Sequence, residues 1–440
     1  MVQAKTRIVT CALALVMIFS ASLLFAGGGQ EAAAAKVDKV SFWTWSNPDT
    51  FVWIWNRFVT DYPQYKDVKV ETHITDSVGG AIGMLKNIMI SYAGGAEIPD
   101  ISEMNFKLNA QLVEAGVTID MTDYIKPYAS QIPKAVLETG SHNGRIYGYP
   151  LRGNSSMMLY RSDFFEKAGI SESDVATWEG FTRAGKKLRE KLPNVYMLAV
   201  SPTVPAGYWG EMMLGQHGIG FFNKDTGEPI LDTDPGAIES WKTVYGFVNA
   251  GIATLLTDLS APWWAAVKEG RIATLPLAGW MPSILAKNAP ELAGKWKCVP
   301  YPTFASGKQS LQGVAGYVVY AKQKAKQEVL AKALNNAFFK QENAYDLEKA
   351  LAYNASLNFF ADKPPKVPLI ESYFPGQDVK ALDLRLLANA TIHGYTANFT
   401  ETLDIANQEM AKAITGQKSI DDAIKSMGVA VRAKIGKSRY

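Results

Sequence analysis

VDKVSFWTWSNPDTFVWIWNRFVT, residues 37–60, is the stretch that decides the fold class. VDKVSFWTW alternates and is rich in β-formers, and the turn-prone SNPD stops the strand. TFVWIWNRFVT then carries apolar groups at helical spacing, which predicts a helix over 50–60. Outward from there, VKVETHI (68–74) reads as a second strand, and AIGMLKNIMISYAGG (81–95) as a helix ended by glycine. Strand, helix, strand, helix is the rhythm of a parallel α/β sheet.

The alternation continues to the C-terminus. Thr177 before WEGFTRAGKKLREKL and Ser419 before IDDAIKSMG are expected helix N-caps, the latter with an acidic residue three positions on. Further helices are expected over 237–250, 325–340 and 401–414. ADKPPKVPLIESYFPG (361–376) is too rich in proline for a helix interior and reads as a crossover.

At the N-terminus, Lys5 and Arg7 precede the apolar run IVTCALALVMIFSASLLFA, the layout of a secretory signal peptide, here 1–26. Leu24 makes the cleavage site imperfect, and the run is long enough to span a bilayer, so a retained anchor stays open as the alternative. Glycines rather than a cysteine follow Ala26, so no lipid anchor is expected. GGGQEAAAAK (27–36) reads as a tether. The roughly 400 residues beyond it exceed the size of one ordinary domain. Without Lys5 and Arg7, the 45 basic and 42 acidic residues become 43 against 42. That balance calls for neither nucleic acid nor an anionic membrane as partner. Cys11 lies in the leader, leaving Cys298 alone, and His73, His142, His217 and His393 lack metal-ligand spacing. No metal, no cofactor and no histidine-driven catalysis are expected.

GRIYGYPLRGNSSMMLYRSDFFEKAGI (144–170), followed by TWEGFTRAGKKL, resembles the extracellular solute-binding proteins of sugar ABC importers, family 1, the maltodextrin-binding-protein-like group. The shared features are the glycine-tyrosine-proline segment, a strand ending in tyrosine, and an acidic-Phe-Phe-x-x-Ala-Gly helix. VSFWTW, AGGAEIPDIS, VKEGRIATLPLAGW and ITGQKSIDDAI keep the family's order. The resemblance implies a type II periplasmic-binding-protein fold, each lobe a mainly parallel sheet flanked by helices, joined by a hinge. Lobe 1 would comprise 37–150 and 304–362, lobe 2 would comprise 151–303 and 363–440. Hinge segments would lie near Tyr149 and Pro150, Pro300 to Thr303, and Lys363 to Val367. It also implies a periplasmic monomer that holds a sugar in the interlobe cleft, presents the closed form to the permease's transmembrane subunits, and performs no chemistry. Where the family carries acidic residues after the first strand and at the start of the second lobe, this chain has Asn47 and Asn154, so the particular sugar does not carry over.

A neutral sugar offers hydroxyls for directed hydrogen bonds and C–H faces for flat rings, so its sites combine aromatic platforms with a few polar groups. Eleven tryptophans supply candidates, most of which must be ordinary core. Trp280 follows the expected strand ATLPLAG after a glycine that lets the ring project, and it matches the family's sugar-stacking tryptophan. Tyr208 and Trp209 sit in SPTVPAGYWGEMM, read as a loop on a cleft rim, the alternative for Trp209 being a loop anchor. Trp43 and Trp45 share a strand face; Trp43 reads as core. Trp45 stands at the strand's carboxyl end, where open α/β sheets bind ligands, with Ser46 and Asn47 after it. Glu103 and Asn105 follow the strand PDIS at the same edge. Arg152 and Asn154 interrupt an apolar run, Arg152 having an interlobe salt bridge as its alternative. Of the adjacent Trp263 and Trp264 only one can face the cleft, and Trp263 is favoured. Tyr317 in GVAGYVVYA, and Tyr395 and Phe399 in HGYTANFTETL, complete the set, with core packing as the competing role for each.

Two rivals remain. A secreted glycosidase needs two carboxyls across one bond; Glu103, Glu211 and Asp258 are loose acids with no pairing signalled, and no nucleophile elbow, phosphate loop or zinc motif is present. A binding protein for another solute would want clustered tyrosines with histidine, or several cations; Arg152 is the one cation among the candidates.

Overall fold

The computed structural model describes residues 37–75, 80–391 and 394–439. The leader and tether expected over 1–36 lie outside the described residues. Among the described residues, no helix is long and apolar enough to cross a membrane.

β1 (Lys39–Thr44) buries Val40, Phe42 and Thr44 on one face, as its alternation predicts. The helix Asp49–Asp61 follows and buries Phe51, Ile54, Trp55 and Phe58. β2 (Lys69–Ile74) pairs parallel with β1; after the helix Gly80–Ala93, β3 (Ile101–Asn105) pairs parallel with the other edge of β1. The hairpin β4 (Ser141–His142) and β5 (Arg145–Ile146) leads into β6 (Tyr149–Ser155), and one residue later β7 (Met157–Arg161) begins. β8 (Leu198–Val200) and β9 (Ala253–Leu255) pair in parallel, β10 (Thr274–Pro276) and β11 (Trp296–Pro300) flank β7, and the eleven-residue β12 (Gln309–Val319) returns to the first sheet. With β13 (Ala390–Thr391), that sheet is ordered β13-β12-β3-β1-β2, with β6 also on β12.

The expectation of mainly parallel sheets needs correcting, because the first sheet is mixed and the sheet β10-β7-β11 is antiparallel. β12 runs antiparallel to β3 and β6, and β7 antiparallel to β10 and β11. Parallel neighbours need a crossover of a dozen or more residues, usually a helix. β6 to β7 and β11 to β12 are instead short extended passages from one sheet to the other, and these are the strands with antiparallel partners.

The passages lie side by side. Ser156 is buried, donates from its hydroxyl to the Ser310 carbonyl (2.5 Å), and accepts from the Tyr301 amide (3.2 Å). The Ser356 amide donates to the Leu151 carbonyl (2.7 Å), and the Gly153 amide to the Ser356 hydroxyl (2.8 Å). A larger core extends from Val40, Phe42 and Ile101 to Trp178, Trp209 and Trp241; a smaller one under β7, β10 and β11 holds Trp263, Trp296 and Phe374. Thr177 and Ser419 cap their helices as expected, accepting from Gly180 and Asp422 amides. The C-terminal helices Phe399–Ile414 and Ile420–Lys434 pack on each other and on Pro235–Asn249.

Gly316 marks the tightest approach. It lies where β12 meets β6, and a Cβ there would stand 1.8 Å from the Tyr149 carbonyl oxygen. Backbone cannot yield as a flexible side chain does, so Gly316→Ala is expected to cost about 3 kcal/mol or more. Urea unfolding checks this as a lowered midpoint; a variant with the parent's midpoint contradicts it.

Candidate functional site

β3 and β12 pair so that Tyr317 lies opposite Glu103 and Ala315 opposite Asn105. This register places two polar clusters along one line.

The first surrounds Glu103, which is only 8% exposed. The Thr44 hydroxyl (2.9 Å) and the Ser46 hydroxyl (3.2 Å) both donate to its Oε2, and Arg152 Nη2 donates to Oε1 at 2.6 Å. Arg152 also lies over the Tyr353 ring, 4.9 Å from its centroid. Burial by itself would loosen the guanidinium's proton; the adjoining Glu103 carboxylate more than reverses this, and the net shift is upward. A cavity of about 140 Å³ opens here, lined by Ser46, Asn47, Glu103, Arg152 and Tyr317, with Lys287 and Leu351 closing it. Lys287 Nζ donates to the Leu351 carbonyl at 3.5 Å.

The second cluster centres on Gly313, whose φ of +80° suits glycine and coincides with a register break between β12 and β6. A Cβ there would stand 3.3 Å from Asn105 Oδ1, 3.6 Å from Glu211 Oε1 and 3.7 Å from the Tyr395 hydroxyl. Glu211 is 1% exposed and doubly held: Lys107 Nζ donates to Oε2 at 3.0 Å and the Tyr395 hydroxyl to Oε1 at 2.6 Å. Burial, then the Glu211 charge, keeps the Tyr395 hydroxyl protonated far above the usual phenol range. One residue before the bulge, Gln312 Oε1 accepts the Trp280 indole N–H at 2.7 Å. Trp280 is half-buried beyond β10, at the start of the helix Met281–Asn288. Asn154 is buried on β6.

Ser46, Asn47, Glu103, Arg152 and Tyr317 thus share one cavity, and Asn105 and Tyr395 meet at Gly313, with Trp280 on the adjoining Gln312. Several expectations are corrected. Trp209 is not on a rim loop: it lies in the helix Tyr208–His217, 2% exposed, edge-on to Trp178 and Phe247. Gly210 lies against the Trp241 ring and Met212, Met213 and Leu214 are buried, and this burial overrides the preceding proline and glycine as loop signals. The Tyr208 side chain lies outside those described. Trp263 rather than Trp264 points inward, 1% exposed in the smaller core, because the cap at Ser260 sets the helix phase. Trp45 packs on the larger core near Gly80. Asn47 is engaged with Asp49, its Nδ2 donating to that carboxylate at 2.7 Å. Tyr317 is core, packed among Phe42, Phe51 and Phe338, with the cavity at its edge. Phe399 stacks on Phe221. Lys107 and Gln312 escaped sequence reading, since a lysine in a turn and a glutamine in a strand carry no pattern of their own; Gly313 was visible as a glycine in GVAGYVVYA.

Among solved structures, an ABC transporter associated binding protein from B. animalis subsp. lactis, in complex with β-1,6-galactobiose, superposes with a TM-score of 0.75 at 18% identity, covering 90% of this chain and 97% of that one. The architecture is therefore the two-lobed type II periplasmic-binding-protein fold. Residues 46–345 match the bacterial extracellular solute-binding proteins, and the chain belongs to that family. An arabinooligosaccharide-binding protein of Bacillus subtilis is 24% identical over 343 residues, 74% of this chain and 75% of the relative. A lactose-binding protein of Rhizobium radiobacter is 25% identical over 294 residues, 64% and 67% respectively.

Two outcomes test this electrostatic arrangement. Arg152→Met leaves Glu103 buried without its cation and is expected to cost about 2–3 kcal/mol, below the full buried-pair value because the guanidinium is partly exposed. Adding Glu103→Gln should recover part of that loss in urea unfolding, giving a non-additive cycle. Asp258 is raised from 3.8 to about 7 by burial, with the Trp263 indole hydrogen bond acting against this. The fold thus favours its protonated form, so its contribution is complete below pH 4 and is lost as pH rises toward 7. Relative to Asp258→Asn, the parent should lose up to about 4 kcal/mol across that window; parallel stability–pH curves would refute this.

Proposed function

We propose that this protein is the ligand-binding component of a sugar ABC importer, closing its two lobes on a neutral oligosaccharide and delivering it to the permease's transmembrane subunits. The observation that carries the reading is the convergence at the Gln312–Gly313 bulge. Hydrogen-bonding groups on Asn105, Glu211 and Tyr395 surround Gly313, and the Trp280 indole donates to Gln312, one residue before it. An aromatic face beside directed polar groups is what a sugar needs. The relatives named for arabinooligosaccharide and lactose support the same ligand class.

The lobes in this proposal are 37–150 with 304–362, and 151–303 with 363–440, and Ser46, Asn47, Glu103, Arg152, Asn154 and Trp280 belong to the ligand-facing set with the Gly313 cluster. Export is to the periplasm, where the protein acts as a monomer. Binding without chemistry is favoured over glycoside hydrolysis by the state of the carboxylates. Both oxygens of Glu103 accept from Thr44, Ser46 and Arg152, and both of Glu211 from Lys107 and Tyr395, so each carboxyl is already engaged by the protein's own donors.

A thermal-shift series with arabino- and galacto-oligosaccharides tests the proposal, since a ligand bound only by the fold raises Tm. A saturable rise without release of shorter sugars is expected; turnover, or no response to any sugar, refutes it. Trp280→Ala should abolish the rise while the unliganded Tm stays within a few degrees; an undiminished response would remove Trp280 from the site.

A further inference from the structure

Behind the Trp280 loop lies a second cavity, of about 310 Å³, that the sugar reading does not use. Its inner wall carries three buried ionic groups. Glu348 and Asp383 are each about 1% exposed and Lys380 is 8% exposed. Lys380 gives its hydrogen bonds to neutral acceptors, Asn354 Oδ1 at 2.7 Å and the Ala355 carbonyl at 3.0 Å, and stands 3.9 Å from each carboxylate. Glu348 is served by the backbone amides of Asn354 (3.1 Å) and Ala355 (2.5 Å). Asp383 Oδ1 accepts from the Ser155 hydroxyl at 2.5 Å, whereas its Oδ2 is buried and has no hydrogen-bond partner. At the mouth, Lys366 is the cation for both Glu371 (3.4 Å) and Asp378 (3.6 Å). Four carboxylates therefore face two lysines around one space. Val367, Ile370 and Phe374 form an apolar part of the wall, and Ser283, Asn354 and Gln377 also line the space.

We infer that this cavity is a binding site for a small organic cation, a primary ammonium on a short alkyl chain, with its tail on Val367, Ile370 and Phe374 and its charge facing Asp383 and Glu371. A buried carboxylate oxygen without a donor is costly, and an ammonium supplies three donors and the missing positive charge. An anion would meet an excess of carboxylates, and a neutral sugar would find Phe374 as the one aromatic ring among the lining residues. Burial raises the carboxyls of both Glu348 and Asp383, with Lys380 pulling each the other way; a second cation would act in the same sense as Lys380.

The test titrates the purified chain with n-butylammonium chloride, against NaCl at equal ionic strength and against n-butanol, reading Tm. A saturable rise confined to butylammonium is expected. Asp383→Asn should weaken it at least tenfold. Glu371→Gln, at the solvent edge, should weaken it about threefold while keeping the parent's stability and sugar response. Lys380→Met should tighten it. If Asp383→Asn does not fold, Glu371→Gln decides. No saturable rise, a rise that butanol reproduces, or one unchanged in the variants overturns the inference. The sugar response, read separately, stands or falls independently of this result.

Discussion

β12 is hydrogen-bonded on both edges, to β3 on one side and to β6 on the other, and this double pairing is the constraint on which the rest of the molecule depends. It brings the carbonyl of Tyr149 so close to Gly316 that only a residue without a side chain fits. It also sets the register that places Glu103 beside Tyr317 and Asn105 beside the bulge. Because β6 continues into β7 after Ser156, the same strand pair ties the first sheet to the second without an intervening helix. How the first sheet meets the second is thus a property of backbone pairing, which side-chain changes elsewhere reach only indirectly.

On that frame, the charged groups of the two polar clusters are paired. Arg152 is held by Glu103, and Lys107 by Glu211. Such pairs stabilise little when weighed against their desolvation, yet they aim carboxylate oxygens and a phenol in fixed directions. Preorganised acceptors of this kind suit hydroxyl recognition, where orientation distinguishes one stereochemistry from another. Lys107 and Glu211 lie far apart in sequence, on segments after β3 and in the helix Tyr208–His217, so their contact belongs to the assembled form rather than to either segment alone.

The cavity behind Trp280 follows a different logic. There the acids outnumber the lysines, and the excess is buried beside an aliphatic wall. The Asn354 side chain connects the two regions, since its Nδ2 donates to the Gly279 carbonyl (3.2 Å) while its Oδ1 receives Lys380. The loop carrying Trp280 is therefore braced from behind by the same residue that orients the lysine.

Much of this was legible in the order of residues. Alternation in VDKVSFWTW, helical spacing in TFVWIWNRFVT, and the caps at Thr177 and Ser419 are local properties, decided by strand and helix periodicity and by short-range hydrogen bonds, and they appear as read. The segment around Tyr149, with its family resemblance, named the architecture, and Ser46, Glu103 and Arg152, singled out in the sequence, line one cavity. What only the tertiary structure decided was direction and partnership. Whether Trp209 and Trp263 turn to a gap or a core depends on what packs against them, here Trp178, Phe247 and the smaller core. The antiparallel course of β7 and β12, and the meeting of Lys107, Glu211, Gln312 and Tyr395, depend on how distant segments are laid side by side, which no periodicity within one segment encodes.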